Sequence, residues 1–226
     1  MTTQQKLNNL WKNRNNIIPD TAFWKPYRGW SVKKRVHLVF LTKIQDEKII
    51  NEIEKIQKEL SKESSYIRFP KNHYHITLKP LTFLKDSYDN KKDALDIKQI
   101  NKMIKEARKE FYKTKSIKIK IQKINLFSGV VFLEIQDNNK LAKINKRLMK
   151  IKNIDPSPRD YPNFIPHVTI GAFKSKNIKS LIKRIEKLRD TNFGETEIKS
   201  FDFVFAHWYK TKFPRFESYK KIKLNS

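Results

Sequence analysis

At 226 residues the chain is long enough to bury one substantial core, and its length does not demand a second domain. Fifty Lys and Arg stand against 23 Asp and Glu, a formal net charge of +27, a surplus that repels itself unless a polyanion is near. The absence of cysteine excludes disulfides, thiolate chemistry and Cys-ligated zinc, and four glycines leave no glycine-rich phosphate loop, which disfavours ATP-dependent ligases and kinases.

Residues 1–33 read as an extension: a short polar helix over Gln4–Asn15, then an irregular stretch with Pro19, Pro26, Trp24, Tyr27, Arg28 and Trp30. These aromatics suit anchoring on the domain or stacking on bases. Residues 34–226 read as a single domain. Val36–Thr42 is an apolar run suited to a buried strand, and Asp46–Ser61 carries Ile49, Ile50, Ile53, Ile56 and Leu60 at helical spacing. Tyr66–Phe69 and Tyr74–Lys79 are strand-like, with Pro80 expected to end the second. A polar loop over Asp86–Asp93 precedes a helix over Ile97–Tyr112. Ser116–Phe127 alternates Ile with Lys or Gln, the period of a strand with one wet face, and Ser128-Gly129 turns it into Val130–Ile135. A helix over Asn138–Lys150 is capped by Asp137 or Asn138. The proline-bearing loop Asp155–Pro166, a strand from His167, a helix over Ile178–Leu188 and strands over Thr196–Trp208 and Phe216–Leu224 complete the chain. Strands and helices in this order favour an α+β domain with antiparallel sheets and helices outside.

Two of these segments carry the same tripeptide, His75-Ile76-Thr77 and His167-Val168-Thr169, each followed by an apolar residue. In a strand, residues two apart share a face, so each motif presents an imidazole beside a hydroxyl. Composition predicts about 0.24 chance matches to His-x-Thr, so a pair weighs against two solvent-facing strand residues kept only for β-propensity. Two imidazoles flanking a phosphate, with hydroxyls to hold its oxygens, are what metal-free phosphodiester chemistry needs.

The doubled motif, the approach Asn-Phe-Ile-Pro-His-Val-Thr-Ile-Gly to its second copy and the chain length resemble the two-histidine (2H) phosphoesterase superfamily, and within it the 2′-5′ RNA ligase/cyclic phosphodiesterase (LigT-like) branch, over roughly residues 34–224. The resemblance implies a bilobal, pseudo-symmetric fold whose two antiparallel sheets form a central cleft with the motifs on its central strands. It also implies hydrolysis of RNA 2′,3′-cyclic phosphates or 2′-5′ linkages, reversible as ligation, without nucleotide cofactor or metal. His75 is then the acid and His167 the base, with Thr77 and Thr169 donating to the nonbridging oxygens. One departure stands out: an Arg common five residues after the second His is here Ala172. Lys79, Arg159 and Lys174 are candidates to replace it, and Tyr161, Phe164 and Phe173 to flank a base.

The expected partner is RNA, including tRNA or small oligonucleotides, for a monomeric cytoplasmic protein with no membrane association. Two rivals remain: a 2H phosphodiesterase of small cyclic or 2′-5′ oligonucleotides in signalling or defence, and a noncatalytic RNA-binding module. The charge surplus leans towards a longer RNA. His73, two before His75, makes a His-x-His pair that a metal could use, but it lacks an acidic neighbour; His37 and His207 read as structural.

Overall fold

The computed structural model describes residues 1–22, 35–87, 94–208 and 213–225. Trp24, Tyr27, Arg28 and Trp30, expected as anchors or stacking groups, lie outside the described residues. Among the described residues five α-helices, α1 (Thr3–Lys12), α2 (Glu47–Leu60), α3 (Ile97–Phe111), α4 (Lys140–Leu148) and α5 (Lys179–Leu188), accompany ten strands. The strands are β1 (Arg35–Lys43), β2 (Tyr66–Arg68), β3 (His75–Leu84), β4 (Ala94–Leu95), β5 (Ile117–Leu126), β6 (Val130–Gln136), β7 (His167–Phe173), β8 (Asn192–Ile198), β9 (Ser200–Trp208) and β10 (Arg215–Lys223). Among the described residues no helix is long and apolar enough to cross a membrane.

The α+β architecture is as expected, with one refinement. The strand order β10-β9-β1-β3-β7-β6-β5-β8 makes one continuous sheet, in which the two lobes meet at the motif strands through the single antiparallel pair Ile76–Val168. Lobe A is β10-β9-β1-β3 with β4 beside β3; lobe B is β7-β6-β5-β8 with β2 beside β7. The lobes are not the two halves of the chain. α2 follows β1 of lobe A but packs on β7 and β8, whereas α4 follows β6 of lobe B but packs on β3. The run expected as one strand over Thr196–Trp208 breaks at Lys199 into β8 and β9, which belong to different lobes.

The main core lies behind the sheet. Alternate residues of β1 (Val36, Leu38, Phe40) and β9 (Phe201, Phe203, Phe205) join the apolar stripes of α2 (Ile49, Ile50, Ile53, Ile56, Leu60) and α3 (Ile100, Met103, Ile104, Ala107, Phe111). α2 begins at Asp46, whose carboxylate accepts from the N–H groups of Lys48 and Ile49 (3.0 and 3.2 Å), and α4 is held by Asp137, which accepts from Asn139 N–H (3.1 Å) and Leu141 N–H (2.5 Å). On the opposite face of lobe A, Val39, Leu41 and Val204 form a small separate cluster with Phe216.

Pro80 does not end its strand. β3 continues to Leu84 because register irregularities flank the proline, where a residue lacking N–H disturbs no regular ladder. The same kind of bulge recurs in both motif strands. Phe40–Lys79 and Leu41–Thr77 pairing leaves Leu78 as an extra residue on β3, and Val131–Gly171 and Phe132–Thr169 pairing leaves Ile170 as an extra residue on β7. A bulge takes a carbonyl out of the ladder, and that group needs another partner. Here a buried amide from the crossed-over helix supplies it: Asn145 of α4 donates to Leu78 O (2.8 Å), and Gln57 of α2 to Ile170 O (2.6 Å). Tyr66 O–H also donates to Ile170 O (2.8 Å), and its ring fills the space a side chain at Gly171 would need.

Candidate active site

The pair Ile76–Val168 centres the antiparallel junction of β3 with β7. Carrying that register one residue either way places His75 beside Thr169 and Thr77 beside His167. The two histidines are then diagonal neighbours, about 7–8 Å apart at the backbone, with the two threonines on the other diagonal. Burial alternates accordingly: Ile76, Leu78, Val168 and Ile170 are buried, while His75, Thr77, His167 and Thr169 are half-buried on one shared face.

Each imidazole is held in the same way. His75 Nδ1–H donates to His73 O (2.6 Å) and His167 Nδ1–H to Ile165 O (2.8 Å), in both cases the carbonyl two residues upstream. A carbonyl only accepts, so this bond sets the tautomer and leaves Nε2 of the neutral ring as a free acceptor. Aromatic edges fix the ring planes: Phe216 meets His75 at 5.0 Å between centroids, and Phe127 and Phe132 meet His167 at 5.0 and 5.3 Å.

Burial holds both imidazoles below their ordinary pKa. His75 is lowered to about 4, by burial first and then by the charges of His73, His167 and Lys43, against the hydrogen bond to His73 O that raises it; His167 is lowered by burial and by Arg159, against its bond to Ile165 O. His37 and His73 are lowered by burial as well. As pH falls from 6.5 towards 4, the unfolded chain therefore binds protons that the folded chain refuses, and stability should rise with pH across that window. Urea midpoints measured from pH 4 to 6.5 should climb, and His75→Gln should flatten the slope; equal slopes in the two proteins would contradict these shifts.

Of the residues considered as substitutes for an arginine at Ala172, two are placed elsewhere. Lys79 is only 1% exposed and is ion-paired with Asp160, because the bulge at Leu78 reverses the strand's alternation and turns the lysine away from the Thr77 face. Lys174 follows the far end of β7, roughly 20 Å along the strand from His167. Arg159 is exposed in the loop before β7, close enough to act on His167. Phe164 and Phe173 belong to the main core and cannot flank a base, whereas Tyr161 is 42% exposed, with the Lys146 ammonium 4.6 Å from its ring centre. His73 is engaged at both ring nitrogens, by Pro214 O and the Asn72 side chain (2.8 Å each). His37 bonds Leu81 O (2.9 Å), and His207 lies 2.9 Å from Glu217.

Two side-chain groups, and the placement of the expected N-terminal helix, are not announced by the sequence. Lys43 is the register partner of His75 and shares its face. Asp160 accepts from Lys79, from Asn145 (2.9 Å) and from Ser157 N–H (2.7 Å), while Asn145 accepts from Tyr161 N–H (2.8 Å), so the loop that delivers His167 is tied to the strand that carries His75. The sequence signal for Asn145 is a polar residue on the apolar stripe Leu141, Ile144, Leu148. Finally, α1 lies on the cleft face of lobe B: Asn125 donates to Leu7 O (3.0 Å), and Arg189, paired with Glu134, stacks on Trp11 at 4.5 Å.

The sequence model of the 2′-5′ RNA ligase superfamily matches residues 45–204, which include both motifs. An RNA 2′,3′-cyclic phosphodiesterase of Methanocaldococcus jannaschii is 38% identical over 90 residues, 37% of this chain and 50% of that protein. One of Aquifex aeolicus is 35% identical over 69 residues, 29% of this chain and 36% of that protein. The matched stretch thus spans half or less of these relatives. Among solved structures, E. coli LigT complexed with 3′-AMP superposes with a TM-score of 0.65 at 14% identity, covering 85% of this chain and 99% of that one. A Thermus thermophilus protein superposes with a TM-score of 0.60 at 15% identity, covering 84% and 98%. These structural likenesses establish the fold.

Proposed function

Because the chain belongs to the 2′-5′ RNA ligase superfamily, we propose that it is a metal-independent phosphoesterase that opens 2′,3′-cyclic phosphates at RNA ends. The observation that carries this reading is the register about Ile76–Val168, with both imidazoles tethered through Nδ1 and free at Nε2.

In the reaction, His167 Nε2 takes a proton from water as its oxygen bonds phosphorus, and His75 Nε2 gives a proton to the departing ribose oxygen; this order of acid and base follows the family resemblance. Thr77 and Thr169 donate to the nonbridging oxygens as charge shifts in the transition state. Burial leaves both imidazoles neutral in the free protein at pH 7, so the phosphate anion must restore a proton between them, and the pair then titrates as a unit. With a ribose 5′-hydroxyl in place of water, the same groups join a 2′-5′ linkage: the 5′ oxygen bonds phosphorus as His167 takes its proton, and the 3′ oxygen departs with a proton from His75.

Incubation of the purified protein with a 2′,3′-cyclic-phosphate-ended RNA in excess EDTA tests the reading. A phosphomonoester product at the metal-free rate is expected. An RNA that binds but stays uncleaved, with or without divalent metal, would instead make the chain a noncatalytic binding module.

A further inference from the structure

The two halves of the cleft face differ sharply. On lobe B it is covered by α1, through Leu7, Trp11 and the buried group Asn125, Glu134 and Arg189. On lobe A, Phe216 covers Val39, Leu41 and Val204, and beside that cluster the described residues carry cations in two cross-strand rows. Lys43 on β1 pairs with His75, and Lys223 on β10 pairs with Ser200; in the next row Leu41 pairs with Thr77 and Asp202, and Asp202 with Lys221. Ile222 between the two outer lysines is buried in the main core, so Lys221 and Lys223 point to the cleft side. Lys43, Ser200, Asp202 and Lys221 line one cavity of about 130 Å³. Three lysines thus stand against the one carboxylate of these rows, Asp202, one of whose oxygens is buried without a hydrogen-bond partner.

We propose that the body of a single-stranded RNA leaves the histidine pair over lobe A, its phosphates running along Lys43, Lys221 and Lys223, while α1 bars the route over lobe B. β10 is three strands from β3, roughly 14 Å, so a substrate reaching Lys221 and Lys223 must extend past its terminal nucleotide. The proposal rests on the cyclic-phosphate reading for the position of the RNA end, and it assigns the substrate class as an oligonucleotide rather than a cyclic mononucleotide.

The test compares kcat/KM for a hexameric RNA ending in a 2′,3′-cyclic phosphate with that for a 2′,3′-cyclic mononucleotide, in wild type and in the double variant Lys221→Ala/Lys223→Ala. Lys102→Ala/Lys105→Ala, on the exposed side of α3, is the control of equal charge. The ratio of hexamer to mononucleotide should fall about tenfold in the cleft double variant through KM, and stay at the wild-type value in the control. Two fewer phosphate contacts should also lower the salt slope of hexamer binding by about 1.4. Equal ratios in all three proteins, or an equal loss in the control, would overturn the lane. If wild type cleaves neither substrate, the cyclic-phosphate reading fails on its own. Fluorescence anisotropy of the hexamer then decides the lane: a loss confined to the cleft variant supports it, and equal affinities refute it.

Discussion

Replacing His167 by alanine is expected to lower kcat on a cyclic-phosphate RNA by about 10²–10⁴-fold, roughly 3–5 kcal/mol, with little change in RNA affinity or melting temperature. In the proposed reaction the proton it moves belongs to the transition state, so the loss should fall on kcat rather than on ground-state binding. The fold should survive because the ring is half-buried, bonded only to the local carbonyl Ile165 O, and edged by Phe127 and Phe132, which stack on each other at 4.1 Å without it. His75→Ala should behave alike, since its surroundings repeat those of His167. Thr77→Val and Thr169→Val remove one donor each and should cost at most about 10²–10³-fold. Turnover near wild type in folded His167→Ala would mean that another group does the chemistry.

Asp160→Ala should be the most damaging single change to the fold. It leaves the Lys79 ammonium, 1% exposed, without its counter-charge, and strips partners from Asn145 and Ser157 N–H. Breaking a buried pair from one side costs about 3–5 kcal/mol, and at this chain length each kcal/mol shifts the melting temperature by about 2–4 °C, so a fall on the order of 10 °C is expected. Lys79→Met combined with Asp160→Asn should recover most of it, because the loss comes from a stranded charge rather than from a missing attraction. Burial alone would raise the Asp160 pKa, but hydrogen bonds from Asn145, Lys79 and Ser157 outweigh it and hold the carboxyl below its ordinary value. Its contribution is therefore present at neutral pH and fades as pH falls below about 3.8. Thermal melts by circular dichroism measure all of this; an unchanged melting temperature in Asp160→Ala would show that the pair does not hold the loop.

Why these two residues differ in legibility is a matter of period. The motifs could be read because His and Thr two apart share a strand face whatever lies around them, and the alternation at 75–78 and 167–170 follows that rule. Lys79 obeys the same parity on paper, yet the bulge at Leu78 turns it inward, and no local pattern announces the bulge. The helices were legible from their apolar stripes, but not where they pack: α2 and α4 exchange lobes, a consequence of long-range pairing. Lys43 closes an apolar strand and carries no motif; only its register with His75 makes it part of the cleft face. The covering of lobe B by α1 depends on buried polar partners, Asn125, Glu134 and Arg189, that lie far apart in the chain.

The central claim is that His75 and His167 act on one phosphate, and NMR titration of the two imidazoles with and without 3′-AMP tests it most directly. With the ligand bound, the pKa values of both rings should rise together from their depressed positions, because one phosphate anion lies against both Nε2 atoms. A ligand that binds yet shifts only one ring, or neither, would contradict the account.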